Sequence, residues 1–360
     1  MNTRIEAMTE DWQRPTTKWV KGELLDTLDA AAVDPREMLR DDAALPPFDR
    51  LAWFDRVARH WDGDCHPLVA HAWTEGNHAW MFLAEAGRGE MRSLSNWYSF
   101  AFRPVFSGGA SAQLLLAIAK RLRASRAVAP VLTLAPVPRA DGSSDMVMKA
   151  FGRAGWIVHR TETSTSWTAD VTGLTFKDYW AARPGELRST FQRKTKKSGV
   201  KTNIINQFDE EIWSAYEDVY HRSWKAGEID TPFLREMAEA EGRQGNLRLG
   251  IATLDDRPVA AQLWVVSGGT AYIHKLAYDA EVRDLSPGTV LSHDMFAHVI
   301  DKDKVSRIDY GTGDDGHKAA WMDGSDALDT IRLYKPNAIS GLAGAARERL
   351  SALVRGQRLD

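Results

Sequence analysis

Cysteine is nearly absent from this 360-residue chain, where Cys65 stands alone. One thiol cannot build an internal disulfide framework, and such sparing use fits a reducing compartment. Long apolar runs are missing as well. No stretch approaches the roughly eighteen uninterrupted apolar residues of a membrane span. Residues 1–20, MNTRIEAMTEDWQRPTTKWV, lack the apolar core of a secretory signal. Neither sign of charge is in excess: a net charge of −3 gives no global pull toward nucleic acid or anionic lipid. Together these absences lead to the expectation of a cytoplasmic protein with no membrane span.

Apolar residues at 44% and charged residues at 26% describe an ordinary globular composition. The length leaves room for two domains, each with its own core. Tryptophan is abundant, at 14 residues. Large rings with a polar N–H suit cores and substrate clefts alike, and most are expected in the core.

Along the first half, Gly22–Ala32 is predicted to be a helix, with a loop at Asp34-Pro35. Pro46-Pro47 marks a turn, and Asp49 is placed to cap a helix carrying Leu51, Phe54, Val57 and Ala58 at helical spacing. Strands are predicted at His66–Ala72, Ala79–Ala84, Val131–Ala135 and Trp156–His159, and helices at Leu114–Ala124 and Met146–Gly155. Thr161–Asp170, rich in threonine, closes this half, so the expected domains are 1–172 and 173–360. His60-x-Asp62-x-Asp64-Cys65-His66 contains metal-ligand types, but its spacing fits no usual zinc or calcium frame. A solvated turn is the better reading, and no metal is expected.

The second half begins with a basic helix, Glu186–Ser198, that carries Arg188, Arg193, Lys194, Lys196 and Lys197. Such a face suits solvent, nucleic-acid phosphates, or the phosphates of a small ligand. The negative whole-chain charge and a lone aromatic, Phe191, weigh against nucleic acid. Asp209–Lys225 is amphipathic, with Ile212, Ala215, Tyr216, Val219 and Tyr220 on one face. A helix at Thr231–Glu241 and a hairpin of Leu247–Leu254 with Val259–Val266 follow.

The stretch Ala271–Met322 organises this half. An alternating run through Tyr272, His274, Leu276 and Tyr278 predicts a strand. A turn at Arg283-Asp-Leu-Ser-Pro-Gly288 leads into a helix over Thr289–Ile300. A second strand, Val305–Tyr310, runs into Gly311-Thr-Gly-Asp-Asp-Gly316. This is a βαβ unit with its turn at the helix N-terminus, where free amides and the helix dipole favour an anion. Gly288 lacks the Cβ that would keep a phosphate from the backbone, and Pro287 fixes φ at the start of the helix. Turn chemistry alone also accounts for Ser-Pro-Gly at that place.

Arg283-x-x-Ser286-x-Gly288 resembles the pyrophosphate loop of the GNAT acyltransferase superfamily, with Ser286 where the pattern has its first glycine. The longer segments AAQLWVVSGGTAYIHKLAYD, LSPGTVL and IDYGTGDDGHKAAWM are similar to the CelD-like branch, which is related to the Fem-type aminoacyltransferases of peptidoglycan synthesis. The match runs over about residues 173–336, and more loosely over Pro47–Ser107. The resemblance implies an α/β fold of two tandem GNAT-like domains, each a mixed central sheet flanked by helices, with the first copy degenerate. It implies transfer from acetyl-CoA or another acyl-CoA to a small amine or amino-sugar acceptor, with envelope polysaccharide as one setting. The amides of Ser286, Gly288 and Thr289, with Pro287 and Arg283, would then face the pyrophosphate. Main chain at Leu276, Ala277 and Tyr278 would polarise the thioester carbonyl and pair with the pantetheine arm.

Acyl transfer also needs a base for the ammonium and an acid for the thiolate. Asp309 and Asp314, at and beyond the end of the second strand, are candidates, where the alternatives are pairing with a cation and helix capping. His274 is a candidate base or a satisfied core histidine. His317 stands where relatives carry tyrosine, and Tyr310 and Tyr334 remain further acids. Trp224, Lys225 and Lys318 are the expected substrate-side residues; Trp224 and Lys225 belong to a Ser-Trp-Lys run similar to that of CelD-type relatives. No Ser-His-Asp or Cys-His arrangement is evident. Two alternatives stand beside this reading: a Fem-type enzyme using aminoacyl-tRNA, and a non-catalytic scaffold of the same fold. No sustained heptads suggest the coiled-coil insertion of Fem-type proteins.

Overall fold

The computed structural model describes residues 19–32, 39, 45–87, 89–223, 225, 230–313 and 316–354. β1 is Lys21–Leu25 and α1 Leu28–Ala32; a short 3-10 turn, Pro47–Asp49, precedes α2, Leu51–Arg59. Next come β2 (Pro67–Trp73), β3 (His78–Glu85), β4 (Glu90–Ser93), β5 (Val105–Ser107), α3 (Ala112–Ala124), β6 (Val131–Pro138), α4 (Ser143–Arg153) and β7 (Ile157–Asp170). They are followed by α5 (Phe176–Ala181), α6 (Gly185–Ser198), β8 (Lys201–Ile205), α7 (Glu210–His221), α8 (Thr231–Arg243), β9 (Leu247–Leu254), β10 (Arg257–Ser267) and β11 (Thr270–Tyr278). A 3-10 segment, Ala280–Leu285, leads to α9 (Pro287–Asp301), β12 (Arg307–Thr312), α10 (Gly316–Trp321), β13 (Gly324–Tyr334) and α11 (Ile339–Val354).

Two compact units result. One contains Pro47–Ser164, β1 and α1, and the segment from Asp326; the other contains Thr165–Ser325. A single cut after residue 172 does not provide for this, because β13 from Asp326 and α11 belong with the first half.

In the first unit the strand order is β1-β2-β3-β4-β6-β13-β7, with β5 beside β3. β4 and β6 run parallel. β3 is buried along almost its whole length, and Phe82 stacks on Phe54 of α2 with ring centres 4.0 Å apart. The fully buried Asp329 of β13 accepts from Arg139 and, at 2.6 Å, from the Ser144 hydroxyl in the first turn of α4.

In the second unit the order is β7-β12-β11-β10-β9-β8. α9 lies on this sheet through Leu291, Met295, Phe296, Val299 and Ile300, which meet Trp264, Ile273 and Ala260 in one apolar cluster. Each such side chain contributes about 1.5–3 kcal/mol on burial. Gly250 of β9 lets the helix come close: a Cβ there would stand 2.6 Å from the Met295 sulfur and 3.1 Å from Leu291 Cδ1.

Several local expectations differ. Gly22–Ala32 divides into β1 and α1, because β1 finds a partner in β2 that local sequence does not reveal. Asp49 does not cap α2; its carboxylate takes the Arg103 guanidinium at 3.0 Å, and Arg50 occupies the cap position. The helix expected to reach Lys225 ends at His221. Asp34-Pro35 lies outside the described residues. Residues 60–66 form a turn and coil between α2 and β2. Among the described residues no cluster of three or more His, Cys, Asp or Glu is placed to hold a metal, and no helix is long and apolar enough to cross a membrane.

Gly250→Ala is expected to lower stability by about 1–3 kcal/mol through overpacking beneath α9. The measurement is the denaturation midpoint at unchanged m-value.

Candidate functional site

β11 and β12 form the predicted βαβ pair around α9. Their parallel ladder covers only Thr270–Tyr272 against Arg307–Asp309. β11 continues to Tyr278 while bound on its other side to β10, and β12 continues to Thr312. The two strands therefore share no ladder beyond Tyr272 and Asp309, and a wedge opens toward their carboxyl ends. Ligands of open α/β sheets collect at such ends.

A bulge stands beside the opening. Leu263 pairs with Lys275 and Trp264 with Ile273, so His274 is the extra residue of β11. Both of its ring nitrogens are buried. Bulges of this kind re-aim side chains and end pairing next to sites.

The turn before α9 meets the same end of β11. Ser286 adopts the left-handed conformation, with φ 52° and ψ 48°, and Pro287 opens the helix. This conformation explains the glycine that the related pattern carries there. The Ser286 amide donates to the Arg283 carbonyl at 2.9 Å, and the Thr289 amide donates to the Ser286 carbonyl at 3.0 Å. Two of the three amides expected to face an anion are thus used within the turn, whereas Gly288 N–H has no such bond. A Cβ on Gly288 would lie 3.1 Å from the Tyr278 ring, so the glycine lets the turn sit close against β11. Arg283 is exposed on the preceding 3-10 segment.

Gln262 was not foreseen as a site residue. This fully buried side chain donates to Ser292 Oγ at 2.8 Å and to the Gly288 carbonyl at 3.3 Å, while the Trp264 indole donates to its oxygen at 3.0 Å. It fastens the first turn of α9 to β10. The one signal was a glutamine inside the otherwise apolar Val259–Val266.

Asp309 is the last residue of the ladder. Its carboxylate accepts from Ser166 Oγ at 2.6 Å and from the Gly311 amide at 2.9 Å, which fixes its orientation. Lys318 is buried. Its ammonium donates to the Thr312 carbonyl at 2.5 Å and lies 5.4 Å from the centre of the Tyr310 ring, so it closes the glycine turn after β12. His317 is exposed on α10, its ring centre 6.5 Å from that of Tyr310. Asp314 and Trp224 lie outside the described residues. Lys225 follows Ser223, which bridges to Asp279, so this short run reaches the end of β11. Tyr334 belongs to the first unit, where burial and Glu348 push its phenol up to about 12.

The basic helix α6 packs against α9 and the 3-10 segment. Phe191 stacks on His293 with ring centres 3.7 Å apart, and the Lys194 ammonium donates to the Asp284 carbonyl.

The corresponding place in the first unit is filled. β4 and β6 pair from Glu90 to Arg92 against Val131 to Thr133. Beyond them Ser93 and Ser95 hydroxyls both donate to the Ala135 carbonyl, at 2.8 and 2.7 Å, and the Phe102 amide donates to Pro136 at 2.6 Å.

Asp279, fully buried where β11 ends, accepts from Arg222 and, at 2.8 Å, from Arg257. Asp279→Ala is expected to cost about 1–3 kcal/mol, since it removes the buried acceptor shared by Arg222, Arg257 and the Glu281 amide, while Arg222 keeps Asp218. Chemical denaturation measures this loss.

Residues 178–319 match the family model described as an acetyltransferase (GNAT) domain. No protein of curated function matches the sequence. Among solved structures, FemX superposes with a TM-score of 0.56 at 10% identity, covering 86% of this chain and 96% of that one. A protein of unknown function from Bacteroides thetaiotaomicron gives 0.55 at 13% identity, over 88% and 100%. The C-terminal domain of a candidate lysylphosphatidylglycerol synthetase from Agrobacterium fabrum gives 0.53 at 13% identity, over 88% and 93%. These likenesses concern the fold. The matched region lies inside the second unit, so the chain contains a segment similar to GNAT acetyltransferase domains, and its fold is similar to that of FemX.

Proposed function

We propose that the second unit transfers an acyl group from acetyl-CoA or another acyl-CoA to a small amine, with amino sugars of envelope polysaccharide among the acceptors. The observation that carries this reading is the wedge between β11 and β12, with the N-terminus of α9 at its open end. A thioester arm bearing amides fits along β11 past the end of its ladder with β12, at Leu276, Ala277 and Tyr278. The pyrophosphate then meets the Gly288 amide, the Ser286–Thr289 turn with Pro287, and the positive end of the helix. Arg283 adds charge.

Asp309 is the base of this reading. Held at the last step of the ladder, its carboxylate takes the ammonium proton directly or through water. His317 returns a proton to the departing thiolate. His274 shapes the wedge from its bulge. Trp224 and Lys225 serve the acceptor side, and Lys318 holds the turn that carries His317.

A second reading takes the donor to be aminoacyl-tRNA. What favours it is α6, a helix rich in cations whose Lys194 stands beside the same turn. The same cations also suit the remaining phosphate of coenzyme A.

Isothermal calorimetry with acetyl-CoA and a longer acyl-CoA tests the first reading. Saturable binding to wild type is expected, with a loss of at least ~10-fold in Gly288→Glu, whose carboxylate repels phosphate and blocks the backbone. No binding to a folded wild type would overturn it and turn the search to aminoacyl-tRNA. Once an acceptor is in hand, Asp309→Asn is expected to lower kcat by about 10²–10⁴-fold with the KM for acyl-CoA nearly unchanged.

A further inference from the structure

The first unit carries a cavity of 690 Å³ at the end of its sheet away from the Ser93–Ala135 contact, and its lining mixes apolar with charged side chains. Glu85, Glu90, Arg123, Arg126, Lys335 and Asn337 contribute. Two of the cations lack counter-ions. Lys335, only 5% exposed, donates to the carbonyls of Ser125 and Val128, both at 2.7 Å, and sits 5.8 Å from the centre of the Trp156 ring. It makes no ion pair among the described residues. An ammonium has three hydrogens, and two are used. Burial pushes its pKa down to about 8, so it remains mostly charged at neutral pH.

Arg123 stands two residues before Ser125, at the end of α3. Its Nε is buried with no hydrogen-bond partner, and its guanidinium has no carboxylate among the described residues. The group lies against Gly155, where a Cβ would come within 3.3 Å of the guanidinium carbon. Buried donors normally find acceptors, and a planar fork that lines the same cavity as an ammonium suits a tetrahedral oxyanion. Lys335 also neutralises the carbonyl end of α3, which would otherwise repel an anion.

We propose that this cavity binds a small hydroxyl-bearing phosphate monoester, with the phosphate between Arg123 and Lys335 and the hydroxyls toward Glu85, Glu90 and Asn337. Among the described lining residues Arg123, Arg126 and Lys335 stand against Glu85 and Glu90, a balance that suits an anion, and Glu90 already accepts from the Thr133 hydroxyl at 2.8 Å. The carboxylates disfavour a bare polyphosphate and suit sugar-like hydroxyls. The volume leaves room for an organic portion beyond the phosphate. This site is separate from the turn before α9, so it stands or falls independently of the proposed transfer.

The test is calorimetry on the full chain with inorganic phosphate and with glucose 6-phosphate. Saturable 1:1 binding is expected for glucose 6-phosphate, tighter than for phosphate. It should persist in Gly288→Glu and weaken at least ~10-fold in Arg123→Gln. A second readout is acylation of lysines by acetic anhydride, mapped by mass spectrometry. Glucose 6-phosphate should protect Lys335 in wild type and not in Arg123→Gln, which is informative even where Lys335 variants fail to fold. Absence of saturable heat at millimolar ligand would overturn the proposal. So would binding that is lost in Gly288→Glu but kept in Arg123→Gln, or a Lys335 reactivity indifferent to ligand.

Discussion

The carboxylate of Asp279 is withdrawn from water and faces the guanidinium groups of Arg222 and Arg257, while its other oxygen accepts from the Glu281 amide at 3.0 Å. A buried carboxylate is tolerated only when its lone pairs are met, and here α7, β10 and the 3-10 segment all meet it. Arg222 also donates to the Pro258 carbonyl at 2.7 Å. The chain leaving β11 is thereby fixed in direction within one residue of Tyr278. The left-handed Ser286, the approach of Gly288 to the Tyr278 ring and the seat of α9 on Gln262 all follow from that fixed exit. The tie adds little net stability compared with an apolar substitute; its effect is geometric.

The two units show what happens to one arrangement under different side chains. In both, parallel strands are joined through a helix and cease to pair partway along. In the first unit serine hydroxyls and a loop amide occupy the place beyond the ladder, so the backbone satisfies itself. In the second unit the same place is left without a ladder, and the turn before the helix has no side chain at Gly288. Hydrogen-bond demand left open in this way is what a ligand can meet.

Most of the second unit was legible because its signals are local. The alternation from Tyr272 to Tyr278 and the breakers Ser286-Pro287-Gly288 specify strand, turn and the start of the helix over a few residues each. The parallel partnership of β11 and β12 then follows from the length of the connection. What escaped depends on distant partners. Gly22–Leu25 reads as helix until β2 supplies a strand to pair with, and Asp49 reads as a cap until Arg103, far along the chain, claims it. Gln262, Arg222 and Asp279 escaped for the same reason: a polar side chain announces a partner without saying which. Lys318 shows the converse, since a lysine that invites a substrate role is engaged by the Thr312 carbonyl.

The flank of β11 past its ladder with β12 also says something about how the protein tells molecules apart. Whatever lies there is addressed through peptide groups at a spacing set by the strand, not through the identities of Leu276 or Ala277. An occupant would be recognised as though it were another strand, by the rhythm of its own amides. Recognition of that kind survives almost any change of side chain along the edge. Two proteins with unlike residues at these positions can therefore accept the same arm, and drift in sequence there carries little news of drift in ligand.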